Sequence, residues 1–273
     1  MLALIRLCRP HYSVPMALTF TLTVSYAAGG DMAGRWASTA AASAALMLVI
    51  AGAYALNDAI DVAVDRVNAP RRPVASGKVP RRSAAVVGVA LMAAGVALGG
   101  WGSGAFPAVL AAVAGGLAAY DALSKRLGPF KQVAVAVLMT SIYPLALAQA
   151  GGAIGPRAWS LAVFPAWMFL TSFGYEMLKD IRDAGGDPAG SALLLRPRRW
   201  RTVANAAIVL GAAALIGPSF AGCKWIYATG SIPAIAAALA STRLPVRPAI
   251  RAVYLECVLV GIAATADVLI LGM

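Results

Sequence analysis

The feature that most constrains this chain is a succession of apolar runs, each about as long as a membrane is thick. A helix needs about 20 apolar residues to cross the hydrocarbon core. Reading between charged and Pro/Gly-rich breaks gives nine such runs, roughly 13–29, 37–57, 83–101, 104–121, 131–150, 158–178, 201–218, 223–241 and 250–271. Lipid offers no hydrogen bonds to the backbone, so runs of this length must close their bonds internally as helices. The pattern predicts an all-α integral membrane protein of nine transmembrane helices. Eight spans with one re-entrant segment is the alternative, since only the uncharged turn Gly99–Gly104 separates the third run from the fourth. Composition agrees: 60% of the 273 residues are hydrophobic and 12% charged, against about 25% charged in a soluble domain.

The charge balance orients the spans. Lys plus Arg total 23 against 11 Asp plus Glu, a net charge of +12. In a soluble protein that excess suggests nucleic acid; between apolar spans it marks cytoplasmic loops. With the N-terminus placed in the cytoplasm, 20 basic residues fall on inner segments and three (Arg35, Arg157 and Lys224) on outer ones. The expectation is a multi-pass protein of the cytoplasmic membrane, N-terminus inside and C-terminus outside, with membrane lipids rather than nucleic acid as its surroundings. Cys8, Cys223 and Cys257 have no paired spacing, and His11 is the single histidine. These suggest neither a disulfide framework nor a zinc site. No cleavable signal peptide is apparent, because Arg6 and Arg9 flank a short apolar start and the spans continue beyond it.

Acids are scarce, so their positions carry information. Seven of the 11 fall in two clusters, Asp58, Asp61 and Asp65 in one, and Glu176, Asp180, Asp183 and Asp187 in the other. The triplet spacing repeats with a shift of 122 residues, and both clusters close an even-numbered span on the cytoplasmic side. This pattern reads as internal duplication of a helix–loop–helix unit. At helical spacing, i, i+3 and i+7 place three carboxylates on one face, where like charges repel. A hard cation resolves the repulsion, and Mg2+ both takes oxygen ligands and bridges to phosphate. The plain alternative, a solvated loop with ordinary charges, suits one cluster better than two on the same side.

Basic residues flank these acids. Asn68 continues the first acidic face, and Arg71 and Arg72 follow in a proline-bearing loop where a guanidinium can meet phosphate oxygens. A third inner loop brings Tyr120 and Lys125; Lys179 and Arg182 lie inside the second cluster and can pair with its acids or contact phosphate. The run Arg196–Arg201 reads as interfacial anchoring around Trp200. Glu256 and Asp267 lie in the last span. Asp267 is expected at the outer interface. Glu256 is a candidate base or cation stabiliser, or a partner for Arg251 or Lys224.

These residues resemble the UbiA superfamily of intramembrane prenyltransferases. The run Asn57-Asp58-x2-Asp61-x3-Asp65-x2-Asn68-x-Pro70-x-Arg72-Pro73 is similar to that family's first aspartate-rich signature. Asp180-x2-Asp183-x3-Asp187 is similar to its second, and Tyr120-x4-Lys125 to its middle-loop motif. The resemblance covers essentially the whole chain. It implies one domain over residues 1–273, nine helices around a central lipid-accessible cavity, and a pseudo-repeat with motifs at 57–68 and 176–187. It further implies that Asp58, Asp61, Asp65, Asp180, Asp183 and Asp187 hold Mg2+ and serve catalysis. Asn57, Asn68, Arg72, Tyr120, Lys125 and Lys179 would bind or polarise the diphosphate. The motif tail through Ser76-Gly77 and the run Glu176-x2-Lys179-Asp180 look nearest to geranylgeranylglyceryl-phosphate geranylgeranyltransferases. His11-Tyr12-Ser13 follows Arg9-Pro10 where many members carry Asn, a departure that bears on the acceptor pocket.

The implied reaction starts from an allylic prenyl diphosphate. Metal and Arg/Lys stabilise charge on the leaving diphosphate, and an apolar chamber keeps water from the allylic cation. An aromatic or quinone-precursor acceptor is the leading expectation, because that class is the commoner one in the family. A glycerol-phosphate lipid is the alternative. A cyclase, in which the substrate's own double bond attacks, needs no acceptor. A transporter also fits internal duplication, but its acids belong near the bilayer midplane rather than at one face.

Overall fold

The computed structural model describes residues 2–152, 159–184 and 196–271, and among them every regular element is helical. In order these are α1 (Leu2–Leu7), α2 (Pro10–Ala27), α3 (Trp36–Ile60), α4 (Val62–Asn68), α5 (Arg81–Gly99), α6 (Phe106–Leu123), α7 (Lys131–Thr140), α8 (Ile142–Ala150) and α9 (Ser160–Asp183). Helices Pro197–Ala214, Trp225–Gly230, Ile232–Ser241 and Val246–Leu271 complete the chain. Among the described residues, seven stretches are long and apolar enough to cross a membrane, and they coincide with seven of the nine expected spans.

The other two expected spans are helical but weaker, so nine crossings do not follow from length and apolarity alone. The first falls in α2, 18 residues long, where Thr19 and Thr21 turn their hydroxyls back to the carbonyls of Pro15 (2.9 Å) and Ala17 (3.0 Å). The eighth divides at Ser231 into the helices Trp225–Gly230 and Ile232–Ser241. Pro233 has no N–H for the carbonyl of Thr229 and crowds it, which breaks the ladder there. Pro144 acts in the same way on Thr140, so the fifth span divides at Ser141 into α7 and α8.

The chain forms two compact units. The first comprises Met1–Thr21, Ala33–Gly128 and Pro144–Gly151; the second comprises Leu22–Met32, Pro129–Tyr143 and Gly152–Met273. In the first, α3 and α5 pack backbone against backbone. A Cβ on Gly88 would lie 2.8 Å from the Leu56 nitrogen and 2.9 Å from the Gly52 carbonyl oxygen, and one on Gly95 would lie 2.7 Å from the Ala45 carbonyl oxygen. Close approach of this kind replaces the hydrophobic effect as the source of helix association in lipid. Beyond it, Leu7, Ala55, Ala59, Val74, Val79 and Ala84 form a small core. That core seats α1 and the loop 69–80 against the acid-bearing end of α3. The loop is non-helical, as its prolines predict, and is tied by backbone bonds from Arg72 to Ala69 (2.9 Å) and from Val79 to Pro73 (3.1 Å).

In the second unit α9 packs on the helix Pro197–Ala214 through Gly174 and Gly211, where added Cβ atoms would meet Ile208 and Thr171 at 2.6 Å. Met177, Leu178, Ile208, Ala238 and Val253 fill the core between these helices and the last. Higher up, the Phe164 ring lies among Tyr26, Tyr143, Trp167 and Tyr227. Two expected surface charges act as helix caps instead. Arg201 donates to the carbonyls of Ser241 (2.8 Å) and Leu244 (2.9 Å) at the C-terminal end of Ile232–Ser241. Asp267 is fully buried and accepts from the backbone N–H of Lys224 (2.9 Å) and Tyr227 (3.0 Å), capping Trp225–Gly230.

Exposed tryptophans mark the far ends of the acid-bearing helices. Trp36 opens α3 and Trp159 precedes α9, at 61% and 74% exposure. At 1.5 Å per residue they lie about 33 and 31 Å along the helix from Asp58 and Asp180. In each helix that separation is about the thickness of one hydrocarbon core.

The α3–α5 contact makes a direct prediction. Gly88→Ala is expected to cost about 1–3 kcal/mol by overpacking and to lower the melting temperature in detergent. Gly115→Ala on α6, where a Cβ meets nothing within 4 Å, is expected to leave the melting temperature unchanged or raise it.

Candidate active site

Helix α3 delivers the first acid cluster. The sequence spacing treats Asp58, Asp61 and Asp65 as one helical face, but the helix is interrupted at Asp61 (φ −92, ψ 17), where α3 ends and α4 begins. The backbone bonds Asp61 N–H to Asn57 and Asp65 N–H to Asp61 still bridge the junction at 2.9 and 2.8 Å. The three acids therefore remain neighbours across a bend. Asp58 and Asp65 are buried, at 1% and 4% exposure.

Two arginines compensate them. Arg9 donates to Asp58 Oδ1 and lays its guanidinium 4.7 Å above the Tyr54 ring. Its backbone adopts φ +44 at the junction of α1 and α2. This is strained for a non-glycine residue and is sustained by the contacts that hold its side chain. Arg72 donates to Asp65 Oδ1 at 2.5 Å and lies 3.7 Å from Asp58 Oδ1. Asp65 lies beyond the membrane span. Burial pushes its carboxyl above the ordinary value, pairing with Arg72 opposes this, and the charges of Asp58 and Asp61 add to the rise.

Asn57 is a clamp within this cluster. Its side-chain N–H2 donates to Asp61 Oδ2 at 2.9 Å and approaches Asp121 Oδ1, on α6, at 3.4 Å. Among the described residues of the first unit, three carboxylate oxygens are buried with no hydrogen-bond partner: Oδ2 of Asp58, of Asp65 and of Asp121. Leaving such oxygens dry and unpaired is costly. Hard, orphaned oxygens of this kind suit Mg2+. Among the described residues no three His, Cys, Asp or Glu side chains converge enough to cage an ion by themselves.

The second cluster belongs to the other unit, at the end of α9. Asp180 accepts from Lys131 Nζ and from Gln132 Nε2, both at 2.7 Å. Asp183 accepts a fork from Arg182, with both bonds at 2.7 Å. Lys179 pairs with Glu176 at 2.7 Å and lies 5.4 Å above the Tyr175 ring. Asp187 lies outside the described residues. Asn68 and Tyr120 are half-buried, at the ends of α4 and α6 in the first unit. Lys125 is in the short 3-10 turn Ser124–Arg126, and its side chain lies outside the description.

Glu256 is fully buried in the last helix. Its Oε1 accepts from Trp167 Nε1 (2.7 Å) and Thr171 Oγ1 (3.2 Å), so α9 rather than Arg251 or Lys224 supplies its partners. Four contributors escape a reading by motif: Arg9, Asp121, Lys131 and Gln132. Arg9, Lys131 and Gln132 each meet an acid, and Asp121 meets Asn57, across 48 or more residues of chain, where no periodicity operates. The usable signal was position alone, since each sits at the end of an apolar span.

These contacts predict the behaviour of Arg9→Met. Asp58 loses its guanidinium, so the metal-free protein is expected to melt several degrees lower, a loss of about 1–3 kcal/mol. Mg2+ is expected to raise the melting temperature more in the variant than in the wild type, as read by thermal shift with and without EDTA.

A model of the UbiA prenyltransferase family matches residues 17–253. The chain is similar to the digeranylgeranylglyceryl phosphate synthase of Methanoculleus marisnigri, 32% identical over 193 residues, covering 71% of this chain and 67% of that protein. The protein of the same name from Halobacterium salinarum is 30% identical over 242 residues, covering 85% and 83%. The fold matches a structure of digeranylgeranylglyceryl phosphate synthase with a TM-score of 0.74 at 18% identity, over 97% of both chains. It also matches a UbiA homologue from Archaeoglobus fulgidus bound to GPP and Mg2+, with a TM-score of 0.69 at 11% identity, over 98% of this chain and 100% of that one.

Proposed function

Because the chain belongs to the UbiA prenyltransferase family, and is thus a multi-pass membrane prenyltransferase, we propose that it transfers a geranylgeranyl group from its diphosphate to a glycerol-phosphate lipid. The observation that carries this reading is the set of buried, unpartnered carboxylate oxygens beside Arg9 and Arg72. Such a set suits metal–diphosphate and has no use in an inert span. The acceptor reading takes the glycerol-phosphate alternative over the aromatic expectation. Relatives 30–32% identical over two thirds or more of the chain are named for a digeranylgeranylglyceryl phosphate product. A product of that name carries two prenyl chains on one glycerol phosphate, so the acceptor brings a hydroxyl and a lipid tail rather than a phenol.

In this reading the acids at 58, 61, 65, 180, 183 and 187 hold Mg2+, which supplies charge stabilisation to the departing diphosphate. Arg72, Lys125 and Lys179 offer cations to the diphosphate oxygens, and Asn68 and Tyr120 offer polar contacts. Asn57 acts by fixing Asp61 rather than by reaching the diphosphate itself. The apolar spans exclude water from the allylic carbon. The acceptor hydroxyl attacks that carbon, the C–O bond to diphosphate breaks, and the hydroxyl proton leaves to a base. The excess of Lys and Arg in the loops beside the acids supports a cytoplasmic face for this chemistry.

Purified protein in detergent with Mg2+ is expected to release diphosphate from geranylgeranyl diphosphate only when a prenylated glycerol phosphate is supplied, with mass spectrometry showing the ether product. Product from phenolic acceptors alone would overturn the acceptor assignment, and hydrocarbon without acceptor would indicate a cyclase. Asp61→Ala and Asp183→Ala are each expected to lower turnover at least about 100-fold, and EDTA to abolish it.

A further inference from the structure

Asp121 stands outside both aspartate-rich motifs, yet the fold brings it to the first of them. It lies in the last turn of α6 at 6% exposure. Its Oδ1 is 3.4 Å from the Asn57 Nδ2 that donates to Asp61 Oδ2 at 2.9 Å, and its Oδ2 is buried with no hydrogen-bond partner. We propose that Asp121 is a metal ligand of the first acid cluster, binding through Oδ2 the same ion as Asp61. The proposal rests on the Mg2+-dependent reading given above.

The physical case has three parts. One amide nitrogen offers two hydrogens, so Asn57 can hold two carboxylates side by side, one on each. Two carboxylates so held repel, and one is left with a dry, unpaired oxygen; both costs disappear when a hard cation sits between them. A pair is also sufficient, because Mg2+ keeps several waters and takes its remaining ligands from phosphate. Asn57 then preorganises the pair, and α6 delivers the extra ligand beside Tyr120. The competing arrangement is one proton shared between Asp61 and Asp121, which would make Asp121 a structural residue.

Binding of Mn2+, a hard-oxygen substitute for Mg2+, separates the two. The full chain in detergent is titrated with Mn2+ in the presence of inorganic diphosphate, with bound and unbound Mn2+ read by electron paramagnetic resonance. Asp121→Asn keeps size and shape and removes the charge. It is expected to raise the Mn2+ dissociation constant at least about tenfold, equivalent to about 1.4 kcal/mol. Its melting temperature in EDTA is expected to equal or exceed that of the wild type, because a repulsion has gone. Wild-type Mn2+ affinity in a folded Asp121→Asn protein would overturn the proposal while leaving the transferase reading intact. If that variant does not fold, Asp121→Glu carries the test: it keeps the charge but displaces the oxygens, and unaltered Mn2+ affinity again overturns the proposal. A wild-type protein that neither binds Mn2+ nor releases diphosphate would overturn the transferase reading and this proposal together.

Discussion

Carboxylates at the C-terminal ends of long helices are the constraint to which the rest of this structure answers. The C-terminal end of a helix carries the negative pole of its dipole, so acids there are unfavourable before their mutual repulsion is counted. Asp58 and Asp180 both occupy the last turn of such helices, at the edge of a medium that solvates neither charge nor dipole. Each neighbouring element then has a cation or a hydrogen-bond donor to deliver. The α1–α2 junction supplies Arg9, the loop 69–80 supplies Arg72, and the start of α7 supplies Lys131 and Gln132. The glycine contacts between α3 and α5 matter for the same reason, because they fix the helix on which the first cluster is mounted.

A prenyl diphosphate imposes two unlike demands on a membrane protein, and they leave unlike traces. Its head is a polyanion that must be met by metal, carboxylate and guanidinium. In a chain with 12% charged residues, such groups stand out at once. Its tail, and the tail of a lipid acceptor, ask only for apolar walls, which every span supplies. Donor chemistry therefore appears in the sequence as motifs. The acceptor appears only in the company the chain keeps: an expectation drawn from the commonest acceptor class gave way to one drawn from relatives that match across most of its length.

The spans were legible because lipid leaves the backbone no alternative to helix, and the acid motifs because scarce charges at helical spacing are conspicuous. Other features needed the fold. Asp61 reads as the middle of a stripe but is a junction between two helices. Arg201 and Asp267 read as interfacial charges but cap helix ends across 40 or more residues. The divisions at Ser141 and Ser231 were in principle readable from Pro144 and Pro233, yet a sum of hydropathy over the run passes over a single missing N–H. Glu256 was conspicuous as a buried acid, but its donors, Trp167 and Thr171, lie on another helix at no recognisable interval.

The duplicated clusters are not equivalent once folded. In the first, the cations engage one oxygen each of Asp58 and Asp65 and leave the other buried and unpaired. In the second, Asp180 has both oxygens engaged by α7, and Asp183, about a third exposed, is forked by Arg182. The first cluster thus offers a metal oxygens that nothing else holds, whereas Asp180 must exchange Lys131 for any ion it takes. That exchange costs little if the displaced ammonium stays beside a diphosphate, where its charge is again paired. Spacing alone makes the two halves look like copies. Burial and pairing set them apart: the first keeps unpartnered carboxylate oxygens, whereas Asp180 has both of its oxygens engaged.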